Sequence, residues 1–240
     1  MILVSCRRSG PGGAILFDKL KWSPADVSKV RRKKILVIVH GTANTMSQLL
    51  RLAEEIASRN SGSYDEFVMF AWPGGATGLA YLVTRFTSVR RASVLLAQVI
   101  DTLALAEADT IDIDAHSLGV PIALEAAMQS IRRVNGLWLK AGACGRDLSK
   151  YRELTAWNLE RKTKIAVFYS PKDWIVRGLY RLWFGFTGAL GAYGEKTKGG
   201  NIADQYDVSP EIGGSHMDYR RSSIVVQAMR NERARRDGLT

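Results

Sequence analysis

Ser117 stands between His116 and Leu118, with the small residues Ala115 and Gly119 two places to either side. Thr110 to Ala115 reads as a short strand, and a helix reads from about Gly119 onward. A serine on such a strand-to-helix turn is held clear of the sheet. Its neighbours at plus and minus two must be small, because strand and helix pass close together there. This is the arrangement of a nucleophile elbow, G-x-S-x-G, with Ala115 in place of the first glycine. The chemistry it offers is attack of a hydroxyl on an electrophilic carbon. A serine hydroxyl is a poor nucleophile until a base takes its proton, and imidazole suits that task because its pKa lies near neutrality. The chain has three histidines: His40, His116 and His216.

The elements that would position these groups alternate along the chain. Residues 1–8 and 14–18 read as two short strands around Gly10-Pro11-Gly12-Gly13, a hairpin-like opening. Ile35 to Val39 is continuously apolar and β-branched, as expected of a parallel strand buried on both faces. A helix follows from about Met46 to Arg59, with Leu49, Leu50, Leu52, Ala53 and Ile56 at helical spacing. Phe67 to Ala71 is the next strand, closed by Trp72-Pro73-Gly74-Gly75. A loop with Tyr81, Arg85 and Phe86 leads to a helix from about Val89 to Ala106. Beyond the elbow and its helix come a strand at Leu137 to Ala143, a helix from about Leu148 to Glu160, and a strand at Ile165 to Tyr169. A last short strand reads at Tyr206 to Val208, and a last helix at Tyr219 to Arg235. At least five strand–helix alternations argue for an α/β fold with a mostly parallel central sheet, helices on both faces and right-handed crossovers. No internal repeat or linker divides the chain, so residues 1–240 read as one domain. The chemistry-bearing residues all lie just after expected strands, where the reactive loops of such sheets gather.

Composition narrows the classes. The chain has 240 residues, 46% hydrophobic, enough for one sizeable core. No run approaches the ~18–20 apolar residues of a membrane span. Met1 to Cys6 ends in a small residue and a cysteine but has no basic segment before it, so no signal peptide is expected. Cys6 and Cys144, far apart, read as free thiols in a reducing compartment; the expected location is cytoplasmic. The formal net charge is +11. Its basic clusters, from Arg7-Arg8 to Arg230–Arg236, are spread along the chain. They read first as a solvated surface and second as a contact for an anionic surface. There is no zinc-ligand spacing, RNA-binding signature or phosphate-loop pattern, so no metal or cofactor is expected and nucleic acid is not the expected partner.

The order of strands, the His40-Gly41 turn, the elbow, Asp173 after a late strand and His216 near the end resemble the α/β-hydrolase superfamily. More narrowly, Val39-His40-Gly41-Thr42-Ala43-Asn44-Thr45, Trp72-Pro73 and Ala115-His116-Ser117-Leu118-Gly119 are similar to a bacterial branch that carries H-G-x-x-N-T, W-P and A-H-S-M-G at these places. The resemblance covers about residues 33 to 225. It implies that His40 braces a loop and that His116 packs beside the elbow, leaving His216 as the base in the chain order Ser, Asp, His. It places the acid at Asp173, with Asp147 the main competitor and Asp204, Asp207 and Asp218 weaker ones. It assigns the two oxyanion-binding N–H groups to Thr42 and Leu118. The implied activity is that of a metal-independent serine esterase or lipase acting on a small-molecule or lipid ester; the alternatives are a non-catalytic binding module of the same fold with a basic surface, and a lipid-surface (phospho)lipase.

Two features stand outside that pattern. Asp112 and Asp114 alternate with Ile111 and Ile113 on what should be the central strand, and buried carboxylates are costly unless paired. Either that face is partly open to solvent, or a basic or hydroxyl partner lies over it. The chain between the Leu137 and Ile165 strands has room for one helix and no cap domain. A pocket lid would therefore come from residues 74–90 or 177–200, the latter rich in aromatic residues.

Overall fold

The computed structural model of the chain describes residues 1–9, 15–22, 27–42, 45–74, 80–132, 134–155, 163–179 and 188–238. Strands β1 (Ile2–Ser9), β2 (Ile15–Lys21), β3 (Lys34–Val39), β4 (Glu66–Ala71), β5 (Thr110–His116), β6 (Gly136–Lys140), β7 (Lys164–Tyr169) and β8 (Asp204–Asp207) form one sheet. Their order is β2-β1-β4-β3-β5-β6-β7-β8. Every pairing is parallel except the β1–β2 hairpin. β5, which ends at the elbow, lies between β3 and β6.

The helices that cover the sheet are α1 (Met46–Asn60), α2 (Ala80–Leu105), α3 (Gly119–Gln129) and α4 (Ser223–Arg236). α1 starts at a capping box: Thr45 Oγ accepts from the Gln48 N–H, and the Gln48 side chain accepts from the Thr45 N–H. It buries Leu49, Ala53 and Ile56, spaced four and three apart on one face. Side chains of the central strands alternate between two cores. Val37, Val39, Ile111, Ile113 and Ala115 pack in the core that holds α2 and α3 residues. Leu36, Ile38, Met69, Trp138 and Phe168 pack in the core with α1 and α4. By the strand's period of two, Asp112, Asp114 and His116 face the second layer.

Several expected boundaries move. Tyr81, Arg85 and Phe86 lie in α2 rather than in a loop, because nothing between Ala80 and Leu105 breaks a helix: the run has no glycine or proline. β6 stops at Lys140, three residues early, where Ala141 turns the chain with φ of +50°. The expected Leu148–Glu160 helix opens as a 3₁₀ turn, Ser149–Tyr151, and a helical turn, Arg152–Thr155; its remainder lies outside the described residues. The last helix is split at Ser222, which caps α4 after a 3₁₀ turn, Asp218–Arg221. Part of the two candidate lid segments, residues 75–79 and 180–187, also lies outside the described residues. Among the described residues there is no large cap over the sheet, and no helix is long and apolar enough to cross a membrane.

Candidate active site

Ser117 sits at the carboxyl end of β5 with φ of +55°, left-handed backbone that a non-glycine residue adopts only under constraint. The constraint is a set of main-chain bonds. The Ser117 N–H donates to the Lys140 carbonyl at 3.0 Å, and the Ser117 carbonyl accepts from the Ala143 and Val120 N–H groups, each at 3.1 Å. The two small elbow positions are not equivalent. A Cβ on Gly119 would stand 2.4 Å from the Val39 carbonyl oxygen, so α3 meets the end of β3 there without clearance. Ala115 keeps its methyl in the core with no exposure. Glycine is required after the serine, where helix and strand touch; alanine suffices before it.

The turn after β3 lies directly over the elbow: a Cβ on Gly41 would come within 2.9 Å of Ser117 Cβ. His40 holds this turn. Its Nε2 accepts the Trp72 N–H at 3.2 Å, so Nδ1 carries the proton and donates to the Gly41 carbonyl at 2.6 Å. Trp72 returns an indole N–H to the His40 carbonyl at 2.9 Å and stacks on the ring. Burial drives the His40 pKa down to about 3, so the imidazole is neutral. Thr42 follows Gly41 in this turn. Leu118 immediately precedes α3, so its N–H is among those of the helix start that have no intrahelical acceptor. Positive partial charge accumulates at such a terminus.

Asp173 and His216 are in contact. His216 Nδ1 and Asp173 Oδ2 are 2.8 Å apart, which leaves imidazole Nε2 unprotonated in the neutral ring. Asp173 has no solvent exposure, and four donors reach its carboxylate. Oδ2 takes His216 and the Tyr219 hydroxyl at 3.2 Å. Oδ1 takes the Ile175 and Val176 N–H groups at 3.1 and 3.4 Å, at the start of a π-helical turn, Ile175–Leu179. Burial and the Asp173 carboxylate push the Tyr219 phenol far above its usual range, so it is a hydroxyl donor. The loop carrying His216 is tied down by Ser170 Oγ, which donates to the Gly213 carbonyl at 2.7 Å. His216 lies beside the elbow: its ring centroid is 4.7 Å from that of His116.

Asp147, the competing acid, is exposed and binds the Ser149 N–H two residues on, at 2.9 Å; that bond holds its carboxyl below the usual range. It makes no contact with His216 among the described residues. Asp204 pairs with Lys164, Asp207 caps Ser209 and Asp218 pairs with Arg221.

The β5 aspartates are both buried and both partnered, which settles the alternatives left open by the sequence. Asp112 accepts from the Tyr64 hydroxyl at 2.7 Å and the Arg236 guanidinium at 2.8 Å. Asp114 forms a buried ion pair with Lys140 on the next strand, a charge contact rather than an aligned hydrogen bond. The Asp114–Lys140 pair lines a cavity of about 20 Å³ with His40, Gly41, His116 and Arg220, too small for a substrate. Lys140 and Tyr219 are the site-lining polar residues that sequence reasoning missed. A buried Asp114 demanded a partner, but nothing in the local pattern points to Lys140.

A family model described as an alpha/beta hydrolase of unknown function (DUF900) matches residues 17–177. Among solved structures, an uncharacterized protein from Bacillus cereus ATCC 10987 aligns with 86% of this chain at 12% identity and a TM-score of 0.55; the alignment spans 60% of the length of that protein. A predicted CIB-like hydrolase from Thermoplasma acidophilum aligns with 96% of this chain and 100% of its own, at 16% identity and a TM-score of 0.46. MGS-M1, an alpha/beta hydrolase enzyme from a Medee basin deep-sea metagenome library, covers 86% of this chain and 81% of its own, at 15% identity and a TM-score of 0.37. A search of curated proteins gave no match.

Proposed function

The chain belongs to an alpha/beta hydrolase family of unknown function, DUF900, and on that premise we propose that it is a serine hydrolase cleaving carboxylic esters through an acyl-enzyme intermediate. One observation carries the reading: a buried aspartate and a histidine in direct contact, beside a serine whose backbone is forced into left-handed geometry at a strand-to-helix turn. In this reading Ser117 Oγ attacks the ester carbonyl while His216 Nε2 takes its proton. Asp173 fixes the imidazole with the proton on Nδ1 and stabilises its charged form. The Leu118 and Thr42 N–H groups bind the oxyanion of the tetrahedral intermediate. The imidazolium then protonates the departing alkoxide. A water molecule, deprotonated by the same imidazole, releases the acid and restores Ser117.

The test is covalent labelling with a fluorophosphonate. Wild type is expected to label at one site, Ser117→Ala not at all and His216→Ala far more slowly. An unlabelled wild type, or equal labelling of Ser117→Ala, would overturn the reading.

A lipid-surface substrate is a second reading, favoured by two exposed apolar side chains. Trp174 follows the acid and is 67% exposed; Met217 follows the base and is 45% exposed. Exposed Lys172 and Arg177 flank Trp174. This reading expects binding to anionic vesicles that weakens with added salt; indifference to vesicles excludes it.

A further inference from the structure

We propose that His116 is a positioning residue for the base, its Nε2–H clasping the main-chain carbonyl of His216 so that nucleophile and base loop are set from one strand. The inference rests on the serine-hydrolase reading. His116 Nε2 lies 2.8 Å from the His216 carbonyl oxygen. A carbonyl only accepts, so Nε2 must carry the proton. His116 is the last residue of β5 and is joined to Ser117 by one peptide bond. The clasp thus ties the base loop to the residue beside the nucleophile, across 100 residues of chain.

The other ties on that loop leave this need open. Ser170 holds Gly213, the Ser215 N–H donates to the Ile212 carbonyl at 3.1 Å, and Asp173 holds the imidazole itself. These anchor the loop to β7, to itself and to the acid. His116 connects it to β5.

The surroundings of His116 suit this task. The groups around it are Asp114 and Lys140 on β5 and β6, His40 after β3, Arg220 and Tyr219 from the 3₁₀ turn, and His216. Burial first, then the electrostatic influence of His216 and Lys140, which disfavours a second positive charge there, hold its pKa well below the ordinary value. A neutral ring keeps the donor while adding no charge beside His216, which must become an imidazolium when it takes the serine proton. Lys140, itself paired with Asp114, contributes to that neutrality.

The experiment compares wild type, His116→Leu and His116→Gln on a soluble p-nitrophenyl ester, reading kcat and KM separately. Leucine removes the donor at similar bulk; glutamine supplies an amide N–H of comparable reach. We expect His116→Leu to lower kcat by about 10²-fold with KM little changed, the scale of a misplaced catalytic group, and His116→Gln to recover most of it. A wild-type kcat in His116→Leu, or a His116→Gln as slow as His116→Leu, overturns the proposal. Fluorophosphonate labelling separates the two readings. No labelling of wild type sinks the serine-hydrolase assignment, whereas equal labelling rates of wild type and His116→Leu sink only the positioning role. Should His116→Leu fail to fold, ¹⁵N NMR of the wild type decides. It is expected to show His116 neutral with its proton on Nε2 at pH values where a free imidazole is already protonated; a proton on Nδ1, or titration at the unperturbed value, overturns the proposal.

Discussion

Two aspartates, Asp112 near the amino end of the sheet and Asp173 beyond its carboxyl end, are built alike. Neither has solvent exposure, and each accepts a tyrosine hydroxyl, from Tyr64 or from Tyr219. Each also binds a side-chain nitrogen at 2.8 Å. What differs is the nitrogen. Arg236 offers a guanidinium that stays charged at any pH a protein survives, so Asp112 neutralises it and nothing further can happen. His216 offers an imidazole, a group that can both accept and donate a proton. A buried, fully satisfied carboxylate is therefore no mark of catalysis by itself; the mark is whether its partner has a proton to exchange.

The largest separation between the two ends should appear in turnover. Ser117→Ala, His216→Ala and Asp173→Asn are each expected to lower ester kcat by about 10⁴-fold while the chain stays folded. Asp112→Asn, assayed on folded protein, should stay within a few-fold of wild type. A comparable kinetic loss at Asp112 would erase the contrast.

Stability should rank them the other way. Arg236→Met leaves Asp112 charged, buried and without its cation, and should cost about 3–5 kcal/mol in urea unfolding. A loss below about 1 kcal/mol would place the Asp112–Arg236 pair among surface ion pairs instead.

The histidines sharpen the comparison through pH. His40 has a folded pKa of about 3 against an ordinary 6.5, and His116 is also depressed by burial. The unfolded chain therefore binds protons at these sites more tightly than the folded one. Their contribution is fully present above the unfolded value and is lost as pH falls below it, at about 1.4 kcal/mol per pH unit for each histidine. Urea midpoints measured from pH 7.5 to 5 should fall accordingly. A flat profile over that range would mean that neither ring is held neutral.

The smallest effect should separate the two tyrosines. Tyr64→Phe and Tyr219→Phe each delete one hydroxyl donor to a buried carboxylate and should cost about 1–3 kcal/mol of stability. Only Tyr219→Phe should also lower kcat. Equal kinetics in the two variants would show that the second donor to Asp173 is structural alone.

Much of the fold was legible because local pattern and global architecture agree. The apolar run Ile35 to Val39 is a buried parallel strand, and Leu49, Ala53 and Ile56 are the buried face of α1. Ser117, Asp173 and His216 could be singled out because each follows a strand and the chain order is restrictive. The Asp173–His216 contact joins two of them; Asp147, the main competitor by sequence, is taken up by its own turn. What stayed hidden depends on distant chain. The partners of Asp112 lie 48 and 124 residues away, and the acceptor of His116 lies 100 residues away. No local periodicity encodes such pairs. The early start of α2 was missed for a different reason: its first turns carry aromatic and β-branched residues of middling helix propensity, which a reading by propensity places in a loop.

The Arg236–Asp112 contact also bears on the order in which the molecule assembles. β5 pairs with β3 and β6 on either side, yet its carboxylate at Asp112 has no cation until α4 docks from 124 residues downstream. Closing so long a loop is entropically costly and slow. A chain whose strands have formed before α4 docks is therefore expected to hold Asp112 hydrated or protonated rather than buried, charged and unpaired.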